Sequence, residues 1–400
     1  MDRHAAGAQD PFPHHFDTVD ELLEDYWRRG YQYAEISELL SRFHNIDLNV
    51  RQIKYRFRKL GLSRYGGADP DEAVRAAIRR ELQGPNKHSG YRRMWRCLKR
   101  NHGLNVRRRT VQQILRQEDP EGSAQRRRRR LARRRYFSRG PNHVWHIDGN
   151  DKLRAYGFFI HGCIDGYSRR IMWLKVGPTN KDPKIVASFY LDAVCQLGGC
   201  PLIVRSDPGS ENVVVAAIQC TFRARDADEH AGPKSHQYGK SVHNQRIEAF
   251  WSHLKPRLRW WIEVFQGLVD DGDFEVGNCI HTWCLQYCLM PIVAQDLDTF
   301  AQDWNDRRIP PHHSALVPAG RPNVLHFLPE QTGGEDQLQV VPGGMMQAAR
   351  RHCKQYSMVG SERFHRYAGD MLTRMGRTSP NNTNEAINLY KDLVVLAAGM

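Results

Sequence analysis

The chain has 400 residues, and 59 Lys or Arg against 44 Asp or Glu give it a formal net charge of +15. This length allows two or three domains with a sizeable core, and such a positive excess favours a polyanionic partner held through phosphate contacts. The start of the sequence is polar, without the apolar run of a signal peptide, and no apolar run is long enough to cross a bilayer. We therefore expect a soluble intracellular protein with no membrane partner.

Residues 17–65 predict a first small helical module. Its third helix begins at Asn49 with capping-box spacing to Gln52, and apolar residues follow at helical intervals. Helices followed by a basic helix are typical of a helix-turn-helix DNA-binding module. A plain three-helix bundle with a solvated basic face would have the same pattern. The residues of the basic face that we expect to bind nucleic acid are Arg51, Lys54 and Arg58.

Residues 71–118 predict a second helical module, and residues 119–140 an arginine-rich linker. Three arginines precede the last helix of the module, and five more stand together in the linker. An exposed linker of this kind can lie along DNA and also serve as a nuclear import signal; a merely solvated, flexible linker is the alternative. The arginines that we expect to bind nucleic acid are Arg107, Arg108, Arg109, Arg126, Arg127, Arg128, Arg129 and Arg130.

Residues 141–260 change to a pattern of strands and helices. Strand-like runs at 143–149, 156–164 and 170–176 precede a helix, and a further strand ends at Asp207. Two more helices are expected near 212–223 and 241–258. Three antiparallel strands followed by alternating helix and strand predict an α/β fold of the ribonuclease H-like type. Residues 261–330 are expected to be mostly helical, and residues 331–400 to form a tail or a poorly ordered extension without a clear element.

Three acids stand at positions where they could meet. Asp148 lies in the first strand, Asp207 ends a later one, and Glu248 lies on a helix with Asn244 and Lys255 at the margin of its apolar face. Their carboxylates could converge on a pair of divalent ions, which stabilise the attacking and leaving oxygens of a phosphoryl displacement. Hard oxygen ligands suit Mg²⁺ or Mn²⁺.

Other polar residues compete for these roles. Asp165 stands in a hairpin turn, where Asp is favoured for local hydrogen bonding, and Asp151 follows the turn after Asp148. Glu211 could replace Glu248 only if the stretch around 248 is not helical. Structural or supporting roles are favoured for His143, His146 and His161.

The nine cysteines include no Cys-x-x-Cys pair. They predict reduced thiols in a protein core. A zinc site built from His281, Cys284 and Cys288 is a weaker alternative, because no second ligand pair follows them.

Several blocks of the sequence together resemble a known family. Residues 145–148, 205–212 and 244–255, which contain the three acids, are similar to the signature blocks of the integrase catalytic core of retroviral and retrotransposon integrases and D,D,E transposases. Residues 90–93 resemble the helical DNA-binding segment of integrase-like bacterial insertion-sequence transposases, and residues 304–308 an element that often closes such cores. The likeness covers residues 20–330 and is nearest to integrase-core proteins of eukaryotic genomes that derive from mobile elements.

This resemblance implies a ribonuclease H-like integrase core with a mixed five-stranded sheet, preceded by two small all-α helix-turn-helix-type modules. It implies that Asp148, Asp207 and Glu248 are catalytic and bind two Mg²⁺ (or Mn²⁺) ions for DNA strand cleavage and strand transfer. Lys255 would contact DNA phosphate, and Asn244 would support the cleft that binds nucleic acid. DNA in the nucleus would be the partner of a homo-oligomer, without a small-molecule substrate.

Three features depart from the family pattern. The interval from Asp207 to Glu248 is long, which predicts an enlarged loop over 224–240. No His-His-Cys-Cys zinc module precedes the core, and the closing element changes after Arg307. A domesticated, non-catalytic DNA-binding protein with the same fold is the rival hypothesis, whereas the helical modules argue against a simple nuclease.

Overall fold

The computed structural model describes residues 16–62, 69–125, 136–239, 244–311 and 317–397. They belong to two compact units, which divide between residues 134 and 135. The five linker arginines predicted to bind nucleic acid, Arg126 to Arg130, lie outside the described residues. Within the described ranges, every helix is too short or too polar to span a membrane.

The first unit is helical. Its elements are α1 (Val19–Arg28), α2 (Tyr33–His44), α3 (Val50–Lys59), α4 (Asp71–Leu82), α5 (Tyr91–His102), α6 (Arg108–Glu118) and α7 (Pro120–Gln125). The predicted capping box of α3 is confirmed, since Asn49 and Gln52 each accept a hydrogen bond from the other's backbone N–H. Helices α4 to α6 enclose a small apolar core that includes Ile78, Met94 and Leu98.

The second unit is built on a mixed five-stranded sheet. Its strands are β1 (Val144–Asn150), β2 (Phe159–Asp165), β3 (Ile171–Gly177), β5 (Ile203–Ser206) and β6 (His236–Tyr238). The spatial order is β3-β2-β1-β5-β6. Strand β2 is antiparallel to β1 and β3, whereas β1, β5 and β6 are parallel. The predicted α/β class and five-stranded sheet are confirmed, and β6 lies within the segment expected to be an enlarged loop.

Helices cover both faces of the sheet. They are α8 (Pro183–Leu197), α9 (Val213–Phe222), α10 (Gln245–Asp270) and α11 (Cys279–Asp306), and a short strand, β4 (Gly199–Cys200), follows α8. Helix α12 (Pro322–Phe327) lies against the end of α11, where Asn323 donates to Asp306. Side chains of a strand alternate between its two faces. Trp145 and Ile147 of β1 therefore join the α8–α9 core, whereas Ile160 of β2 and Leu174 of β3 join the α10–α11 core.

The end of α11 is fastened to the sheet. The Asn305 side chain accepts from the Ile171 N–H at 2.8 Å and donates to the Ile171 carbonyl at 3.1 Å, which completes the edge of β3. Trp304 donates to the Arg169 carbonyl at 2.7 Å. Residues 304–308 were the segment that resembled a closing element. Its first two residues, Trp304 and Asn305, bind the backbone at the start of the edge strand β3.

The prediction of a tail without clear elements beyond residue 331 is wrong. This region contains β7 (Gln339–Val340), α13 (Gly343–Arg350), α14 (Glu362–Arg374) and α15 (Thr383–Ala397). Strand β7 pairs with β4, and Phe364 of α14 and Leu393 of α15 are buried in the α10–α11 core. The region is ordered because these apolar faces cover α11, a contact that the local sequence does not reveal.

Candidate active site

Asp148 lies two residues before the end of β1 and faces α10. Ile147 and Trp145, one and three residues earlier in the strand, are buried on the opposite face. The Trp251 indole N–H of α10 donates to Asp148 Oδ2 at 2.8 Å. The acid is thus held against a helix, and it is only partly exposed.

Gly162 makes this contact possible. It is paired with Asp148 across the β1–β2 ladder, and a Cβ at this position would lie 2.8 Å from the Trp251 ring carbon Cη2. Any larger residue would therefore push against the indole that holds Asp148. A glycine inside a strand often marks such a close approach, which is the signal in the sequence that could have identified this residue.

Asp207 follows directly after β5, the parallel neighbour of β1. The two strands pair Trp145 with Val204 and His146 with Arg205, and continuing this register brings Asp207 level with Asp148. Adjacent strands lie about 4.8 Å apart, so the two acids are neighbours at the carboxyl ends of two central strands. The Asn212 side-chain amide donates to Asp207 Oδ1 at 3.1 Å and fixes the carboxylate.

Glu248 lies in the first turn of α10 and is exposed. The start of this helix is tied to β1 by Asn244, whose side-chain amide donates to the Ile147 carbonyl at 2.9 Å and whose Oδ1 lies 2.8 Å from His146 Nδ1. Glu248 is thereby placed beside the strand that carries Asp148. Asn244 itself is 2% exposed, and both polar atoms of its side chain are engaged with β1.

A buried chain of hydrogen bonds backs this arrangement. Because the Asn244 oxygen can only accept, His146 Nδ1 donates to it, and His146 Nε2 then accepts from the Tyr136 hydroxyl at 2.8 Å. Burial lowers the pKa of His146 to about 3, which keeps the ring neutral. The predicted supporting role suits this geometry, and Tyr136 is a member that the sequence did not indicate.

Asp148 is electrostatically affected by the other two acids. Burial, together with the charges of Glu248 and Asp207, raises the pKa of Asp148 to about 7, and the hydrogen bond from Trp251 opposes this rise. A bound cation relieves the repulsion between carboxylates that lie close together and are partly buried. Carboxylate oxygens are ligands that suit a hard divalent ion. The residues present therefore fit Mg²⁺ or Mn²⁺.

The acids do not form one tight cluster. Among the described residues, only Glu81, Cys97 and His102 bring three such ligand atoms within 4.8 Å of one another. The three carboxylates are therefore not positioned to bind one ion together. Two ions about 3.5–4 Å apart need a wider set of carboxylates, which suits two acids on adjacent strands and a third on a helix.

The competing acids have identifiable partners. Asp165 is fully buried and accepts from Ser168 and from the Asn142 backbone N–H, so its structural role is borne out by these contacts. Asp151 accepts from the Asn180 side chain at 2.8 Å. Glu211 lies beside Asp207, since its Oε1 is 3.3 Å from the amide nitrogen of Asn212 that holds Asp207.

The remaining predicted nucleic-acid contacts are exposed where the structure describes them. Lys255 lies on α10 seven residues after Glu248, on the same side of the helix. In the first unit, the exposed basic residues are Arg51, Lys54 and Arg58 of α3, and Arg107, Arg108 and Arg109 at the start of α6.

The alternative zinc site on α11 is not assembled. Cys284 and Cys288 are buried in the α10–α11 core as free thiols. His281 Nδ1 instead accepts from the Glu275 backbone N–H at 3.2 Å. These cysteines are the core thiols that the sequence predicted.

Comparison with known families identifies the part of the chain that carries the site. Residues 136–317 match the family model described as the integrase core domain. A search of curated proteins found no match to the chain. The matched segment contains Asp148, Asp207 and Glu248, together with Asn244 and Lys255, and an integrase core supports a polynucleotidyl-transferase-type function related to DNA. Residues 136–317 therefore belong to the integrase core domain family, as an integrase catalytic core of the retroviral integrase superfamily.

Proposed function

We propose that the chain catalyses metal-dependent DNA strand cleavage and strand transfer, with Asp148, Asp207 and Glu248 as its catalytic acids. The observation that carries this proposal is that Asp148 and Asp207 lie side by side at the carboxyl ends of β1 and β5. The β1–β5 register sets Asp148 level with Asp207, and Asn244 ties the helix of Glu248 to the same strand. Charges of the other two acids raise the pKa of Asp148, which supports their proximity.

Asp148, Asp207 and Glu248 would hold two Mg²⁺ or Mn²⁺ ions. When bound, such ions activate an attacking oxygen and stabilise the leaving oxygen of an in-line phosphoryl displacement. The protein's own residues set the geometry: Trp251 orients Asp148, and Asn212 orients Asp207. Held in this way, the acids lose little freedom when a phosphate arrives, and preorganised positioning is what phosphoryl transfer chiefly requires.

The substrate would be DNA, bound by basic side chains of both units. Lys255 would contact phosphate close to the acids, and the two helical modules, 17–65 and 71–118, would dock duplex DNA through the exposed arginines and lysine of α3 and α6. The linker arginines 126–130 would extend this contact and act as a nuclear import signal. By its family, the protein would work as a homo-oligomer.

The test is a strand-transfer assay with purified full-length chain, Mg²⁺ or Mn²⁺, and DNA that carries the candidate terminal repeats flanking the gene. Glu248→Gln removes one negative charge from the site with almost no change in shape. Glu263→Gln is the matched control, because Glu263 lies on the same helix and pairs with Arg259 on the surface.

We expect product from the wild type and the Glu263→Gln variant. Glu248→Gln should lose about 10²–10³-fold in rate, the usual cost of removing one group that stabilises the transition state. Equal product from Glu248→Gln and wild type would exclude the catalytic assignment. DNA binding without any product from the wild type would favour the non-catalytic alternative.

A further inference from the structure

A second group of potential metal ligands lies in the second helical module, in the unit that does not contain the acids. Glu81 is in the last turn of α4, and Cys97 and His102 lie on α5, with His102 as the final residue of that helix. Their ligand atoms all lie within 4.8 Å of one another. Cys97 is 3% exposed, and the side chains of Glu81 and His102 are about 15% exposed.

The contacts around the three residues are those of a prepared site. His102 Nε2 lies 2.8 Å from Glu81 Oε1. Asn86 donates to Glu81 Oε2 at 2.5 Å and to Cys97 Sγ at 3.3 Å, and Asn101 donates to the same sulfur at 3.2 Å. Two amide donors on one sulfur stabilise a thiolate better than a neutral thiol, and metal ligands are commonly oriented by such partners.

We propose that Glu81, Cys97 and His102 bind a zinc ion. One sulfur, one imidazole nitrogen and one carboxylate oxygen form a donor set that zinc accepts, whereas magnesium and calcium prefer oxygen alone. In a tetrahedral site with bonds of about 2.0–2.3 Å the donor atoms lie roughly 3.3–3.7 Å apart. The imidazole and carboxylate therefore need to separate by only about half an ångström from their present hydrogen bond.

Such an ion would join the end of α4 to two points of α5. These helices share only a small apolar core with α6, and small domains often gain the missing stability from a metal. Three protein ligands leave a fourth position that water can fill. The role inferred is structural: zinc would fix the module that presents the arginines at the start of α6.

The site is tested on the full-length chain, stripped of metal with a chelator and titrated with Zn²⁺, or with Co²⁺ as a coloured probe. The proposal predicts one tightly bound zinc and a thiolate-to-cobalt charge-transfer absorption in the near ultraviolet. The catalytic acids provide no sulfur, so this absorption reports on a cysteine site alone. Zinc-edge absorption spectroscopy of the wild type should show one sulfur neighbour at about 2.3 Å.

Three variants locate the site. Cys97→Ser should abolish the absorption, whereas Cys195→Ser, a change at an exposed cysteine of the other unit, should keep it. Asn101→Ala alters an exposed residue that donates to Cys97 and should weaken zinc affinity about 10- to 100-fold, the usual effect of removing a residue that orients a metal ligand. This variant tests the site even if Cys97→Ser does not fold.

Each contrary result overturns the proposal. A wild type that binds no zinc, a zinc shell of nitrogen and oxygen only, or an absorption that persists in Cys97→Ser would each exclude the site. Unchanged zinc affinity in Asn101→Ala would show that the metal lies elsewhere.

Discussion

Replacing Asp148 by Asn should stabilise the metal-free protein in a pH-dependent way. The pKa of Asp148 is raised from 3.8 to about 7, by burial first and then by the charges of Glu248 and Asp207. Because the folded pKa lies above the unfolded one, the folded state holds its proton longer. The wild type therefore loses stability as pH rises from about 4 to about 7, and the penalty is complete above that range.

The magnitude follows from the shift. About three pKa units at 1.36 kcal/mol each amount to roughly 4 kcal/mol at pH 8, and linkage leaves about 1.5 kcal/mol of this penalty at pH 5. Asparagine has the same shape, never ionises, and keeps an oxygen that accepts from Trp251. The free energy of unfolding of Asp148→Asn should thus exceed that of the wild type by about 2–3 kcal/mol more at pH 8 than at pH 5.

Denaturant unfolding with a chelator present, followed by tryptophan fluorescence at pH 5 and pH 8, measures this difference. Glu263→Gln, which changes a surface acid of the same helix paired with Arg259, serves as the control and should show little pH-dependent gain. If the advantage of Asp148→Asn is the same at both pH values, Asp148 does not have a raised pKa and the crowding of the three acids is refuted.

Three further results are expected. Gly162→Ala should displace the Trp251 ring, since the added Cβ would lie 2.8 Å from it; strand transfer should fall about 100-fold, and unchanged activity would show that this contact does not position Asp148. Mg²⁺ at 100 times its dissociation constant should stabilise the wild type by about 2.7 kcal/mol but leave Asp207→Asn unaffected in thermal unfolding, and equal stabilisation of both would place the ion elsewhere. Ala variants of Arg51, Lys54 and Arg58 should bind duplex DNA with a weaker salt dependence, measured by fluorescence anisotropy. The slope of log affinity against log salt should fall by about 0.9 for each phosphate that the protein no longer neutralises. An unchanged slope would show that α3 is not part of the DNA interface.

Much of the fold followed from local patterns. The capping box at Asn49 and the strand over 143–149 are properties of short stretches, and both are present in the structure. The resemblance of three sequence blocks to integrase cores was confirmed by the family match over residues 136–317. Patterns of this kind succeed because periodicity and caps depend on neighbours along the chain.

What could not be predicted depends on partners distant in sequence. Phe364, Ala368 and Leu372 repeat at helical spacing on α14, but this short helix follows polar, glycine-containing stretches, and its burial depends on distant residues of the α10–α11 core. The Trp251–Asp148 hydrogen bond joins residues 103 positions apart. From the sequence, Trp251 could be predicted only as part of the apolar face of its helix. Its local sequence does not show which acceptor the indole N–H would reach.

The most direct test of the central claim is the strand-transfer rate of four variants: Asp148→Asn, Asp207→Asn, Glu248→Gln and the triple change. Groups that act as one unit are strongly non-additive, so removing one costs nearly as much as removing all. We predict that each single change reduces the rate to about the level of the triple variant. A single variant that retains wild-type activity, or losses that multiply through to the triple variant, would contradict one metal-binding unit formed by Asp148, Asp207 and Glu248.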